Sequence, residues 1–144
     1  DERVLGALES AGGIKKALPL LGNETFLVVN GDVFCDYTFD SHFQLQNKLA
    51  HLVLVKNPEH NLTGDFGLKN TLLLNESQEQ YTFSGIGYYN PLLFTTTELK
   101  KVSLAPLLRQ EIQQNKISGE LYLGDWHDIG TPQRLKNINI RFHK

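Results

Sequence analysis

The sequence predicts an α/β sandwich around a mixed sheet, and three observations carry that prediction. Residues 26–29 and 51–55 form two almost wholly apolar runs, which is typical of strands buried on both faces of a sheet. Residues 104–114 repeat apolar side chains at the spacing of an amphipathic helix. Strands and helices do not alternate strictly along the chain, so at least one antiparallel portion of the sheet is expected.

The other elements are predicted from turn residues and short apolar runs. Pro19 and Gly22 end a short helix at residues 14–18, and Thr131-Pro132 opens a last helix. Further predictions are a helix at 39–49, a hairpin at 66–68 and 71–74, a strand at 83–89, and short strands at 121–123 and 126–128.

Composition excludes some classes of partner. The 144 residues carry 14 Lys and Arg against 16 Asp and Glu, and no basic stripe, so nucleic acid is not an expected partner. No run of 18 apolar residues predicts a membrane span. The single cysteine, Cys35, has no internal disulfide partner, which favours a reducing compartment and hence the cytoplasm.

Two aspartates follow predicted strands. Asp32, in Asn30-Gly31-Asp32, comes directly after the strand at 26–29, at the strand end that faces the ligand crevice in open α/β sheets. Asp128 lies between a short strand and a predicted helix. Carboxylates in such places suit Mg²⁺ together with substrate phosphates. In isolation, ordinary turn chemistry is the favoured explanation of each aspartate.

Three small-residue segments offer backbone groups to a ligand. Gly12 and Gly13 open the first helix, Gly64 and Asp65 precede the hairpin, and Ser84 and Gly85 lie in the strand at 83–89. Plain turn and strand chemistry explains each of them as well. The five histidines show no metal-ligand spacing, and we interpret them as surface or core residues.

In order, these segments resemble one family. Leu8-Glu-Ser-Ala-Gly-Gly-Ile14, Phe26-Leu-Val-Val-Asn-Gly-Asp32 and Trp126-His-Asp-Ile-Gly-Thr-Pro132 are similar to segments of the sugar-1-phosphate nucleotidyltransferases. Asn57-Pro58, Gly64-Asp65-Phe66 and Phe83-Ser-Gly-Ile-Gly87 resemble the branch that acts on N-acetylmuramate 1-phosphate in peptidoglycan recycling, to which mannose-1-phosphate guanylyltransferases are related. The segment Trp126-His-Asp-Ile-Gly-Thr-Pro132 is the most specific part of this resemblance.

The resemblance implies a Rossmann-like α/β/α sandwich with a mixed, mostly parallel sheet, here as one partial domain over residues 1–144. It implies a reaction of a nucleoside triphosphate with a sugar 1-phosphate, assisted by Mg²⁺ on the catalytic and metal-binding Asp32 and Asp128. It places Gly12, Gly13 and Asn30 at the nucleotide. It places on the sugar side Gly64, Asp65, Ser84, Gly85, Glu120 and Trp126.

The sequence departs from the family in two respects. The family's first strand and Gly-rich loop, which grip the triphosphate, have no counterpart here, so the 144-residue chain alone is expected to be inactive. Lys56 is a poor match for the family's sugar-phosphate lysine, because it closes a different strand. The alternatives are a metal-dependent glycosyltransferase and a noncatalytic nucleotide-sugar-binding module. Nucleotide, sugar and oligomeric state stay open.

Overall fold

The computed structural model describes residues 24–30, 33–40, 42–94, 104–128 and 138–142. Its strands are β1 (Phe26–Asn30), β2 (Val33–Cys35), β3 (Ala50–Val55), β4 (Gly67–Lys69), β5 (Leu72–Leu74), β6 (Thr82–Tyr89), β7 (Ile117–Leu121), β8 (Trp126–Asp128) and β9 (Ile138–Phe142). Helix α1 covers Leu104–Ile112, and short 3-10 helices cover Glu59–Asn61 and Pro91–Phe94. Seven strands form one sheet in the order β4-β5-β7-β3-β6-β1-β9, and β2 pairs with β8 separately.

The sheet is mixed, as predicted, but its described strands are not mostly parallel. Strand β3 pairs in parallel with β7, whereas every other pair of described strands is antiparallel. Strand β1 is buried on both faces as expected, yet both of its neighbours, β6 and β9, run against it. Burial on both faces therefore results from the layers that cover the sheet. It does not indicate whether the neighbouring strands are parallel or antiparallel.

Strands β1, β3 and β7 nevertheless point the same way. Strands β1 and β3 both run antiparallel to β6, which lies between them, and β7 runs parallel to β3. The carboxyl ends of these three strands therefore meet at one edge of the sheet, which is called the carboxyl edge below. Ligands of open α/β sheets bind at such an edge.

Each face of the sheet has its own core. On one face, Leu107, Leu108 and Ile112 of α1 pack with Leu52 and other buried residues of the sheet. On the other face, the buried side chains of the sheet are covered by the segment that follows β2, and the contributing residues are Tyr37, Phe39, Phe43 and Leu45. We call this second face the β2 face.

Helix α1 agrees with its predicted apolar stripe and ends in a specific cap. Asn115 adopts a left-handed conformation, with φ of 59°. The Asn115 N–H then donates to the Ile112 carbonyl at 3.0 Å, and the Lys116 N–H donates to the Glu111 carbonyl at 3.0 Å. This is the Schellman arrangement, which satisfies carbonyl groups that the last turn of a helix leaves free.

The predicted helix at 39–49 is wrong. Gln46 has a φ of 59°, which an α-helix does not accommodate, and the local bonds are single turns from Phe43 N to Asp40 O and from Lys48 N to Leu45 O. The apolar spacing that suggested a helix instead serves an irregular segment whose side chains cover the β2 face.

The hairpin and the strands over residues 50–55 and 82–89 confirm the predictions, as does Trp126–Asp128. The predicted strand at 121–123 is wrong, because β7 precedes it and ends at Leu121. The predicted helices at 14–18 and after Thr131 lie outside the described residues. Within the described part of the chain, no helix is long and apolar enough to cross a membrane.

Candidate functional site

A cavity of about 250 Å³ opens at the carboxyl edge. Its walls come from the end of β3 and from the segment between β7 and β8, and the lining residues are Val55, Lys56, Tyr122, Leu123, Gly124 and Trp126. Trp126 is thus one predicted sugar-side residue that the structure places in a cavity wall. Lys56, at the end of β3, adds a cationic side chain to this wall.

A β-bulge lies beside this cavity. Val53 pairs with Ile86 and Leu54 with Phe83, so Ser84 and Gly85 are extra residues on β6. Gly85 has a φ of 89°, which side chains other than hydrogen rarely allow. Bulges of this kind re-aim the chain and are frequent next to active sites. The predicted pair Ser84 and Gly85 is therefore a distinct backbone feature rather than ordinary strand.

Trp126 joins the bulge to β8. Its indole Nε1 donates a hydrogen bond to the Ser84 carbonyl at 2.9 Å. Residue Ser84 is 1% exposed, and its Oγ accepts a bond from the Ile86 N–H at 3.1 Å. The hydroxyl of Ser84 is thus turned into the protein, and what this pair can offer a ligand is backbone.

Gly64 and Asp65 hold the start of β6 in place. Asp65 accepts the Phe83 N–H on Oδ2 at 2.8 Å and the Asn61 side-chain amide on Oδ1 at 3.2 Å. Gly64 has a φ of 75°, and a Cβ there would lie 2.8 Å from the Gln80 carbonyl carbon. Both oxygens of Asp65 are used within the protein, next to the bulge, so this residue positions β6.

Glu120 belongs to a polar cluster on the β2 face. Its Oε2 lies 2.8 Å from Nε2 of His51 and accepts a hydrogen bond from the Tyr37 hydroxyl at 3.2 Å. The hydrogen bond from His51 lowers the pKa of Glu120, although burial acts in the opposite direction. Burial is the main reason why the pKa of Tyr37 is raised. Glu120 is therefore a fixed carboxylate, ionised at neutral pH.

The two aspartates are only partly described. Asp128 is the last residue of β8, and its Cα partner across the small sheet is Val33. Val33 directly follows Asp32 in the sequence. Asp32 and the Asp128 side chain lie outside the described residues, as do Gly12, Gly13 and the Asn30 side chain. Among the residues described, no three metal-binding side chains come together.

The chain has relatives among curated proteins, although no family profile matches it. It is 48% identical over 140 residues to an N-acetylmuramate alpha-1-phosphate uridylyltransferase of Neisseria meningitidis serogroup B, covering 91% of this chain and 61% of that protein. It is 30% identical over 132 residues to the bifunctional protein GlmU of Methanococcus maripaludis, covering 83% of this chain and 32% of that protein. The chain thus spans less than two thirds of either relative.

Solved structures show the same fold. A Bacillus anthracis structure described as a glucose-1-phosphate thymidylyltransferase aligns with a TM-score of 0.65 at 20% identity, over 88% of this chain and 57% of that one. An inositol-1-phosphate CTP transferase from T. maritima aligns with a TM-score of 0.63 at 15% identity, over 90% and 58%. In sequence and in its Rossmann-like α/β fold, this chain is therefore a relative of the sugar-1-phosphate nucleotidyltransferases, as its ordered motifs predicted.

Proposed function

We propose that the protein carrying this chain transfers a nucleotidyl group from a nucleoside triphosphate, with UTP favoured, to a sugar 1-phosphate. N-acetylmuramate 1-phosphate is the favoured acceptor, since the Neisseria relative is named for that substrate. The observation that carries the proposal is the cavity at the carboxyl edge, walled by Trp126 and bordered by the Ser84–Gly85 bulge. Ligands of open α/β sheets bind at such an edge.

The reaction needs positioning more than covalent chemistry. A phosphate oxygen of the sugar 1-phosphate forms a bond to the α-phosphorus of the triphosphate. The bond from that phosphorus to the oxygen bridging to the β-phosphorus breaks, and pyrophosphate leaves with the electron pair. Side chains accelerate such an in-line displacement by holding the two reactants in line and by stabilising charge on phosphate oxygens.

Asp32 and Asp128 are the proposed ligands of Mg²⁺. The pairing of Val33 with Asp128 supports them, because Val33 is the residue next to Asp32. Carboxylates are the protein donors that Mg²⁺ prefers, with its other positions taken by phosphate oxygens and water. When bound, the metal neutralises charge on the phosphates.

The remaining residues divide between two substrates. Gly12, Gly13 and Asn30 are proposed at the nucleotide. On the sugar side, Trp126 forms a wall, the Gly85 backbone allows close approach, and Glu120 accepts hydrogen bonds from the sugar. Gly64, Asp65 and Ser84 act on that side by holding β6 in its bulged form. The proposed setting is peptidoglycan recycling in the cytoplasm.

Product analysis of the intact gene product tests the proposal. With UTP, N-acetylmuramate 1-phosphate and Mg²⁺, we expect the release of pyrophosphate in step with formation of the UDP-sugar. Asp32→Asn and Asp128→Asn should each lower kcat by about a thousandfold or more, as expected when charge stabilisation at the phosphates is lost. Asp40→Asn is the matched control, since Asp40 is exposed and its Oδ1 accepts the His42 N–H.

Other products would contradict the proposal. Release of a nucleoside diphosphate instead of pyrophosphate would identify a glycosyltransferase. Binding of a nucleotide sugar without turnover by the intact gene product would identify a noncatalytic module.

A further inference from the structure

His51 is a polar residue held rigidly inside an apolar strand. Its side chain is 9% exposed, and its ring packs against Phe43 with a centroid separation of 4.5 Å. Nδ1 lies 2.8 Å from the Ser118 hydroxyl, and Nε2 lies 2.8 Å from Glu120 Oε2. Because both ring nitrogens are bonded and one ring face is packed, the imidazole has no second orientation that keeps these contacts.

The cluster directs its donors to one oxygen of Glu120. Oε2 accepts from the Tyr37 hydroxyl and from His51 Nε2, whose proton must lie on that nitrogen because an ionised carboxylate has none to give. Tyr37 is held in turn by the Tyr88 hydroxyl at 3.0 Å, which accepts the Asp40 N–H at 3.1 Å. Within the described residues, Oε1 of Glu120 has no hydrogen-bond partner.

Glu120 also lies in the right part of the sheet. Its Cα partner on β3 is Val53. On its other side, Val53 pairs with Ile86 of β6, next to the bulge. Glu120 is followed by Leu121 and Tyr122, where the cavity wall begins, and its side chain is 38% exposed. A carboxylate with one anchored and one available oxygen is an acceptor for a hydroxyl or amide N–H of a sugar.

We propose that His51 is a positioning residue, which fixes Glu120 through Oε2 so that Oε1 accepts a hydrogen bond from the sugar of the sugar 1-phosphate. This inference rests on the proposed function for the identity of the ligand. The anchoring of Glu120 by His51 stands on the geometry alone. Among the described residues, the other titratable groups beside the pair are Tyr37, which bonds Glu120, and Tyr88, whose ring centroid lies 6.0 Å from that of His51. Asp40 acts on Tyr88.

The pH dependence has a defined sign. Glu120 must be ionised to accept the bond, so sugar binding is complete above its pKa and is lost as the pH falls through it. His51 lowers that pKa below the ordinary value of 4.5. Removing His51 therefore moves the loss of sugar binding to a higher pH.

A ¹³C NMR titration of the Glu120 carboxyl carbon tests the anchoring without any turnover. In His51→Leu the pKa of Glu120 should rise toward its ordinary value, and in the matched control His42→Leu, at an exposed histidine, it should stay as in the wild type. Should His51→Leu fail to fold, Ser118→Ala removes the second anchor of the ring and should move the pKa in the same direction by less. An unchanged pKa in these variants overturns the proposal.

Kinetics on the intact gene product test the role toward the sugar. His51→Leu should raise KM for N-acetylmuramate 1-phosphate about tenfold, as for one weakened charge-assisted hydrogen bond, with kcat and KM for UTP unchanged. His51→Gln restores an N–H donor and should recover most of the loss. A uniform fall in kcat, without rescue by glutamine, contradicts positioning. If the wild type turns over no sugar 1-phosphate, the proposed function is wrong, while the NMR titration still decides the anchoring.

Discussion

At the residue scale, the Ser84 carbonyl shows why Trp126 is a tryptophan. A bulge disrupts the hydrogen-bond ladder locally, and a buried carbonyl without a donor costs free energy. The indole Nε1 supplies that donor at 2.9 Å, while the ring forms part of the cavity wall. One side chain thus stabilises the bulge and shapes the space in which we propose that the sugar binds.

Trp126→Phe separates these two roles, because it keeps an aromatic ring and removes the N–H. We expect the free energy of unfolding to fall by about 1 kcal/mol, the usual worth of one hydrogen bond, and KM for the sugar 1-phosphate to rise several-fold. Chemical denaturation and initial rates measure the two effects. Tyr122→Phe is the control: it removes an exposed hydroxyl that bonds Asp36 outside the bulge, and it should change stability less. If Tyr122→Phe lowered the free energy of unfolding as much as Trp126→Phe does, the role of the bulge would be refuted.

The ordered motifs named residues of the candidate site that no single residue type indicated in isolation. Trp126 and the Ser84–Gly85 pair were predicted from resemblance, and the structure joins them by a direct hydrogen bond. The contact of His51 with Glu120 could not be predicted, because it joins residues 69 apart through the parallel register of β3 and β7. The sequence does contain a signal for this pair. His51 is a polar residue within an apolar run, and Glu120 lies in a segment whose polar and apolar residues alternate as in a half-buried strand.

At the scale of elements, helix α1 depends on its cap. The left-handed conformation at this position costs glycine less free energy than asparagine, and it costs alanine the most. The stripe of Leu107, Leu108 and Ile112 fixes which face is buried, but it does not determine where the helix ends. The end is set by Asn115 and by its bond to the Ile112 carbonyl.

Substitutions at Asn115 test this cap. Asn115→Gly should raise the free energy of unfolding by a few tenths of a kcal/mol, and Asn115→Ala should lower it by about 1 kcal/mol, since alanine is strained where φ is positive. Urea denaturation at constant pH compares them. Gln113→Ala, an exposed site two residues earlier, serves as the control for side-chain loss. If glycine and alanine are equivalent at 115, the cap is not what ends the helix.

Strand β3 could be predicted from its continuous apolar run, whereas most of β7 could not be predicted from its own residues. Strand β3 is buried at all six positions, and its sequence alone indicates a strand. Strand β7 carries Ser118, Gly119 and Glu120 in its interior, and it forms because Thr71 and the residues of β3 offer it partners. The helix predicted in the segment after β2 was wrong because the apolar spacing there does not reflect a helical period. That spacing follows the shape of the face that the segment covers.

At the scale of the whole molecule, β9 covers one side of β1. Its pairing runs from Phe26 opposite Phe142 to Asn30 opposite Ile138. Without it, the outer N–H and C=O groups of a strand with buried apolar side chains would be unpaired, and such an edge promotes association between chains.

Truncation tests the contribution of β9. Removal of residues 138–144 should lower the urea midpoint and produce dimers or larger species, because the freed edge of β1 pairs with other chains. Removal of residues 143–144 alone, which lie beyond β9, is the control and should leave a monomer–oligomer distribution like that of the parent. Light scattering after size-exclusion chromatography measures both. A longer truncation that matches the control shows that β9 does not protect β1.

The distance along the chain between β1 and β9 also has a consequence for biosynthesis. The two strands are about 110 residues apart, so at about 5–20 residues per second the ribosome takes roughly 5–20 s to deliver the partner after β1 has emerged. During that interval β6, which is made earlier, can cover only one side of β1. For that period, which is set by the topology and which no gain in native stability shortens, the unpaired edge of β1 is open to pairing with other chains.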